Sequence, residues 1–148
     1  MGGKTPVAPP EASGKKTPPG AIPADPIGHE PLSWHFNEIE FEGSWGWAKV
    51  SPADVPQLHN QLLDYERESL YALKQKQRAR VIPLSDVCDE AQTQIKKLKR
   101  DDSDLWELRL GVKKWRVWGT IRGSIFYAWW WDPEHTVCRV LPQGQQRA

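Results

Sequence analysis

Cysteine is scarce in this chain. Its two residues, Cys88 and Cys138, are far apart and form no C-x-x-C pair. They build no disulfide framework, and that usage points to a reducing compartment. His135 and Cys138 make one H-x-x-C, short of the four ligands a structural zinc needs, so no metal is expected. No run is long and apolar enough to span a bilayer. A cytoplasmic protein without a membrane partner is the expectation. Charge of one sign is missing too: the net charge is +1, which by itself argues for no polyanion. "GSWGW" (43–47) lacks the lysine of a phosphate loop, and no G-x-S-x-G occurs. Nothing in the sequence asks for a small-molecule cofactor.

Proline, by contrast, is plentiful and uneven: six of the 13 lie before Ala24. The prefix is Pro, Gly, Ala, Lys and Thr with almost nothing large and apolar. It has no apolar signal-peptide core, and it buries too little to offset the entropy of ordering. Residues 1–30 are therefore expected to be a disordered arm, 31–142 a single domain and 143–148 a flexible tail. Basic residues gather late. From Asp104 onward seven Lys/Arg face four Asp/Glu, whereas before Ser51 four face six.

Hydrophobic periodicity orders the domain. "LSWHFNEIEFEG" (32–43) alternates in part and predicts a strand with a bulge. "SPADVPQLHNQLLDYERESLYAL" (51–73) predicts a helix capped by Ser51 with Pro52 at its first position. "KQKQRAR" (74–80) reads as a fraying helix end or a loop. "PLSDVCDEAQTQIKKLKRDD" (83–102) predicts a second helix with a stripe of Leu84, Cys88, Ala91, Ile95 and Leu98. Acids open it and lysines close it, as the helix dipole prefers.

Three strands follow. "DLWELRLG" sets Trp106, Leu108 and Leu110 against Glu107 and Arg109. "WRVWGTIRG" sets Trp115, Val117 and Ile121 against Arg116, Trp118, Thr120 and Arg122. "SIFYAWWW" is apolar on both faces, as a central strand would be, and "DPEH" (132–135) breaks it. The expected fold is α+β, β-α-α-β-β-β, with two helices packed on one face of a mostly antiparallel sheet. The other face would then carry arginines beside indoles. Guanidiniums fork onto phosphate oxygens and indoles stack bases, so that face suits nucleic acid; a partner protein is the alternative occupant. Asp132 or Glu134 is expected to orient His135.

The run "LWELRLGVKKWRVWGTIRGSIFYAWWWDPEHTV" (105–137) resembles the last three strands of the RelE/ParE (HigB/YoeB-like) toxin superfamily. The shared features are "LR" at Leu108–Arg109, the aromatic-Arg-aliphatic strand at Trp115–Arg116–Val117 and a polar stretch ending in His135. The chain also resembles a set of small proteins, without an assigned activity, that carry "WGW" near the start and "WWDPEH" near the end. The superfamily resemblance implies a RelE-like fold and a toxin domain paired with a cognate antitoxin protein. It implies a metal-independent endoribonuclease acting on messenger RNA, on the ribosome in members that cut there. Catalytic roles then fall to Arg116 (phosphate), His135 (acid) and Glu107 (base). Substrate binding falls to Arg109, Lys113, Lys114, Trp118 and Arg122. Cys138 stands where the family commonly has a tyrosine. A non-catalytic ParE-like toxin or interaction module, binding a protein such as the replication machinery, is the alternative.

Overall fold

A mixed five-stranded sheet carries the chain. The computed structural model describes residues 26–138. The tail expected at 143–148 lies outside them, as does the arm expected at 1–30 except for its last five residues. Those five include a single helical turn, α1 (Pro26–His29), whose His29 ring packs on Tyr71.

The strands are β1 (Ser33–His35), β2 (Ala79–Val81), β3 (Trp106–Arg109), β4 (Arg116–Arg122) and β5 (Ile125–Asp132), in the spatial order β1-β5-β4-β3-β2. β1 runs parallel to β5, and the other three pairings are antiparallel. The chain is thus α+β, as expected, but its helical layer differs.

Ser51 does begin the first helical region. Its Oγ accepts from Ala53 N, Pro52 follows, and α2 runs Val55–Tyr65. The region expected to be one helix is two. It breaks after Glu66, and Ser69 caps α3 (Leu70–Gln75) by accepting from Ala72 N at 3.1 Å. The break has a cause: Glu68 O accepts from Leu32 N, and Pro31 bridges Ser69, so the backbone there serves the segment before β1. After α3, Gln77 takes a left-handed φ of 60° and turns the chain into β2. The "KQKQRAR" stretch therefore ends in a strand.

The second expected helix is shorter and differently placed. α4 spans Asp89–Lys97, with Cys88 as its N-cap; Cys88 and Leu84 pack, half-buried, against the same cluster as Ala91 and Ile95. Its buried positions are Ala91 and Ile95, preceded by Val87; Leu98 is exposed. Leu58, Tyr65 and Leu73 of α2 and α3 pack on one face of the sheet with Trp106, Leu108, Val117, Phe126 and Trp131. Val87, Ala91 and Ile95 pack on the opposite face with Trp118, Trp129 and Trp130. The expectation of both helices on one face is corrected: the apolar side chains on both faces of β4 and β5 require a cover on each side.

Three consecutive tryptophans fit one strand because of a bulge. Trp118 pairs with Trp130, and the next residue, Gly119, pairs with Ala128, so Trp129 has no partner in β4. The extra residue turns Trp129 and Trp130 to the α4 face and leaves Trp131 on the other. Gly119 permits it, since a Cβ there would sit 2.0 Å from Tyr127 O.

The segment 38–45 closes over that bulge as a strap. Glu40 N donates to Trp129 O and Trp131 N donates to Trp45 O, which continues the β5 edge where β1 stops. The indole N–H groups of Trp129 and Trp130 donate to Glu38 and Glu40. Arg100 lies over the Trp129 ring at 4.7 Å.

Candidate functional site

α4 and the strap cover the middle of their face and leave one corner open, where β3 ends and β2 and β4 begin. Alternation along the strands puts Arg80, Glu107, Arg109 and Arg116 on this side. The register sets Arg80 opposite Glu107 and Arg109 opposite Arg116. The turn after β5 brings His135 to the same corner. Arg80, Arg109, Arg116 and His135, with Lys74 of α3 and Gln77 and Ala79 after it, line a cleft of about 320 Å³.

Glu107 lies at its base, 0% exposed. One carboxylate oxygen accepts from Arg80 Nε at 2.9 Å; the other meets His135 Nε2 at 3.0 Å and lies 3.5 Å from Arg116 Nε. Burial opposes ionisation of this carboxyl. The hydrogen bond from His135 and the charge and hydrogen bond of Arg80 outweigh it and hold the group below the usual carboxylate range. Glu107 is therefore a committed anion with its lone pairs engaged, which does not suit it to take a proton from a substrate. Its geometry suits a different task. An ionised carboxylate at Nε2 fixes the tautomer that carries hydrogen there, leaving Nδ1 as the free ring nitrogen.

Arg116 is 9% exposed; Nη1 donates to Trp115 O, and its buried Nε has no hydrogen-bond partner. Burial lowers its affinity for a proton, Glu107 restores part of it, and Arg109 opposes. Arg109 faces it directly across the strands, and a like-charge pair in that position is unfavourable unless an anion joins it. The side chain of Arg109 makes one long hydrogen bond, Nη1 to Gln77 O at 3.5 Å. Among the described residues no acidic side chain lines the cleft.

The "DPEH" break has a local cause as well. Asp132, 1% exposed, accepts from Thr136 N, Thr136 Oγ1, Val137 N and Trp118 Nε1. It folds the turn, and His135 leaves that turn with φ 60°. Asp132 thus positions the backbone, while Glu107, not Asp132 or Glu134, holds the imidazole.

The other candidates divide. Arg109 is in the cleft, and Lys113 lines an adjoining one with Arg109 and Arg116. Lys114 lies in a separate hollow, beside Trp115, Trp131 and Glu134. Trp118 is fully buried with its indole N–H on Asp132, so it offers no stacking face. Arg122 is at the far end of β4, forked onto Glu38 at 2.8 and 3.4 Å and lying 4.2 Å above the Tyr127 ring. Lys74 and Arg80 were missed because "KQKQRAR" gives almost no apolar periodicity. The alternation Arg78-Ala79-Arg80 was its one strand-like signal.

Among the described residues no three His, Cys, Asp or Glu side chains gather as metal ligands, and no helix is long and apolar enough to cross a membrane. No family model, curated protein or solved structure matches the chain.

Proposed function

We propose that the chain is a toxin-like domain of a toxin–antitoxin system that binds RNA at this cleft and cleaves it without a metal. A cognate antitoxin partner and a cytoplasmic setting belong to the same proposal. So does a RelE-like scaffold, in which β1, the α2–α3 layer and the β3-β4-β5 meander form the frame to which β2 and α4 are added. One observation carries the reading. Arg80, Arg116 and His135 surround the buried carboxylate of Glu107, Arg109 stands beside them, and no acid among the described residues lines the cleft. The surplus positive charge faces solvent and calls for an anion with several acceptor oxygens.

In that role Arg116 and Arg109 bind the non-bridging oxygens of a phosphodiester and stabilise the charge of the phosphorane. The 2′-oxygen attacks phosphorus, losing its proton to solvent, and the P–O5′ bond breaks. His135, entering the step as the imidazolium with Nε2–H on Glu107, gives the proton on Nδ1 to the leaving 5′-oxygen, and the products are a 2′,3′-cyclic phosphate and a 5′-hydroxyl. Glu107 is a positioning residue for the imidazole, a change from the base role expected of it.

The test is induced expression with growth measured and RNA ends mapped, for wild type, Arg116→Ala and His135→Ala. Growth inhibition with new cyclic-phosphate ends, both lost in the variants, supports the reading. Inhibition without new ends transfers the site to a protein target, and harmless wild type removes the toxin reading.

A further inference from the structure

Beside the cleft is a second one, of about 230 Å³, lined by Lys76, Arg78, Arg109, Lys113 and Arg116 along the backbone of Leu110 and Gly111. Arg109 and Arg116 line both. Among the described residues no acid lines this one either. Lys76 has an ion pair with Glu68, but Arg78 is held by a neutral group: Nη1 donates to Tyr65 Oη at 3.1 Å. The phenol in turn donates to Arg109 O, so the guanidinium is fixed in place and its charge is not cancelled. Gly111 leaves room for it, since a Cβ there would lie 3.2 Å from Arg78 Nη1. The wall is thus a held guanidinium, two lysines and the two arginines it shares.

We infer that the second cleft takes the neighbouring phosphate of the same strand. The ligand is then a single-stranded polynucleotide gripped through two successive phosphates, with Arg109 and Arg116 between them. This rests on the reading of the first cleft as a phosphate site. A single strand can turn consecutive phosphates into recesses on a folded surface, whereas a duplex holds them on a stiff rod. The arrangement also explains the cross-strand arginine pair: it lies between two anions, which offset the repulsion between the guanidiniums.

The experiment measures binding by fluorescence anisotropy with 2′-O-methyl probes, which cannot be cleaved. One probe is a dinucleoside monophosphate and the other a trinucleoside diphosphate. Wild type should bind the two-phosphate probe about tenfold or more tightly than the one-phosphate probe at low salt. The double variant Lys76→Gln/Lys113→Asn should lose that gain and keep its affinity for the one-phosphate probe. Asn suits the left-handed φ of 47° at Lys113. The salt slope for the longer probe should shallow by about 0.7 for each phosphate that the variant no longer neutralises. Suppose the short probe binds and Arg116→Gln abolishes it, yet the second phosphate adds nothing. The second subsite then falls while the first cleft stands. If neither probe binds, or Arg116→Gln changes nothing, both fall together. A duplex bound as tightly as the single strand overturns the single-stranded assignment.

Discussion

His135 meets Glu107 at 3.0 Å across 28 residues of sequence. Glu107 pairs with Trp118 and Arg116 with Asp132, so β4 separates β3 from the turn that follows β5. Asp132 folds that turn back over Arg116, and the left-handed backbone of His135 aims its ring at the carboxylate. One buried anion thus organises a strand, an edge strand and a turn, which makes its removal costly.

Glu107→Ala should lower stability by about 3–5 kcal/mol, since it leaves the buried Arg116 without its counter-charge. Glu107→Gln should cost less at neutral pH and change the acid limb. The native carboxyl titrates below its ordinary 4.5, so its contribution is complete above that value and is lost as pH falls through the native one. Denaturant melts from neutral to acid pH should therefore show a shallower acid loss in Glu107→Gln. Parallel curves for the two proteins would remove the linkage.

Gly119→Ala should be among the most damaging single methyl additions, costing about 3 kcal/mol or more, because the contact at 2.0 Å is with backbone that cannot step aside. Gly43→Ala meets nothing within 4 Å and should cost only about 1 kcal/mol, from its φ of 94°. Urea midpoints order the two; a reversed order would contradict the bulge at Trp129.

The strand alternation carried most of what the sequence could tell. It separated Glu107, Arg109 and Arg116 from Trp106, Leu108 and Val117, and that separation is the site. The resemblance added His135, whose approach to Glu107 no local pattern encodes. Three features stayed hidden for physical reasons. Trp129 breaks the period of two, but three identical side chains give no contrast by which to see the slip. The stripe on α4 says that one side is buried and nothing about which face of a sheet it meets. "SIFYAWWW", apolar on both sides, already required two covered faces, so Trp118 on the supposed open face was core. Arg80 was lost because a three-residue strand among charges has no apolar period.

Arg122→Ala should leave any RNA-directed activity unchanged, since Glu38 occupies that guanidinium at the far end of β4. The half-exposed pair should contribute about 1 kcal/mol or less. Glu38→Ala should destabilise more, because it also strands the indole N–H of Trp129. The hydrogen bond from Arg122, against some burial and with help from Trp129, keeps Glu38 below the usual carboxylate range. Its stabilisation is therefore present above 4.5 and lost as pH falls through the native value. Activity lost in Arg122→Ala with the melt unchanged would return that arginine to the substrate path.

The imidazole can be tested apart from the fold. His135 sits at φ 60°, where glycine is unstrained, so His135→Gly removes the ring without asking a new side chain to adopt that backbone. It also leaves a space bordered by Glu107, whose carboxylate can hold a free imidazole as it held the side chain. If His135 protonates the leaving oxygen, the variant should lose about a hundredfold or more in RNA cleavage rate. Added imidazole should restore part of that rate in His135→Gly and leave wild type unchanged. Rescue should vanish in His135→Gly/Glu107→Ala, because nothing then orients the added ring. A residue that merely shaped the turn would give a different pattern: weaker melts, and no response of the rate to imidazole. A variant as fast as wild type would take His135 out of the chemistry and leave the cleft as an anion-binding surface built by arginines.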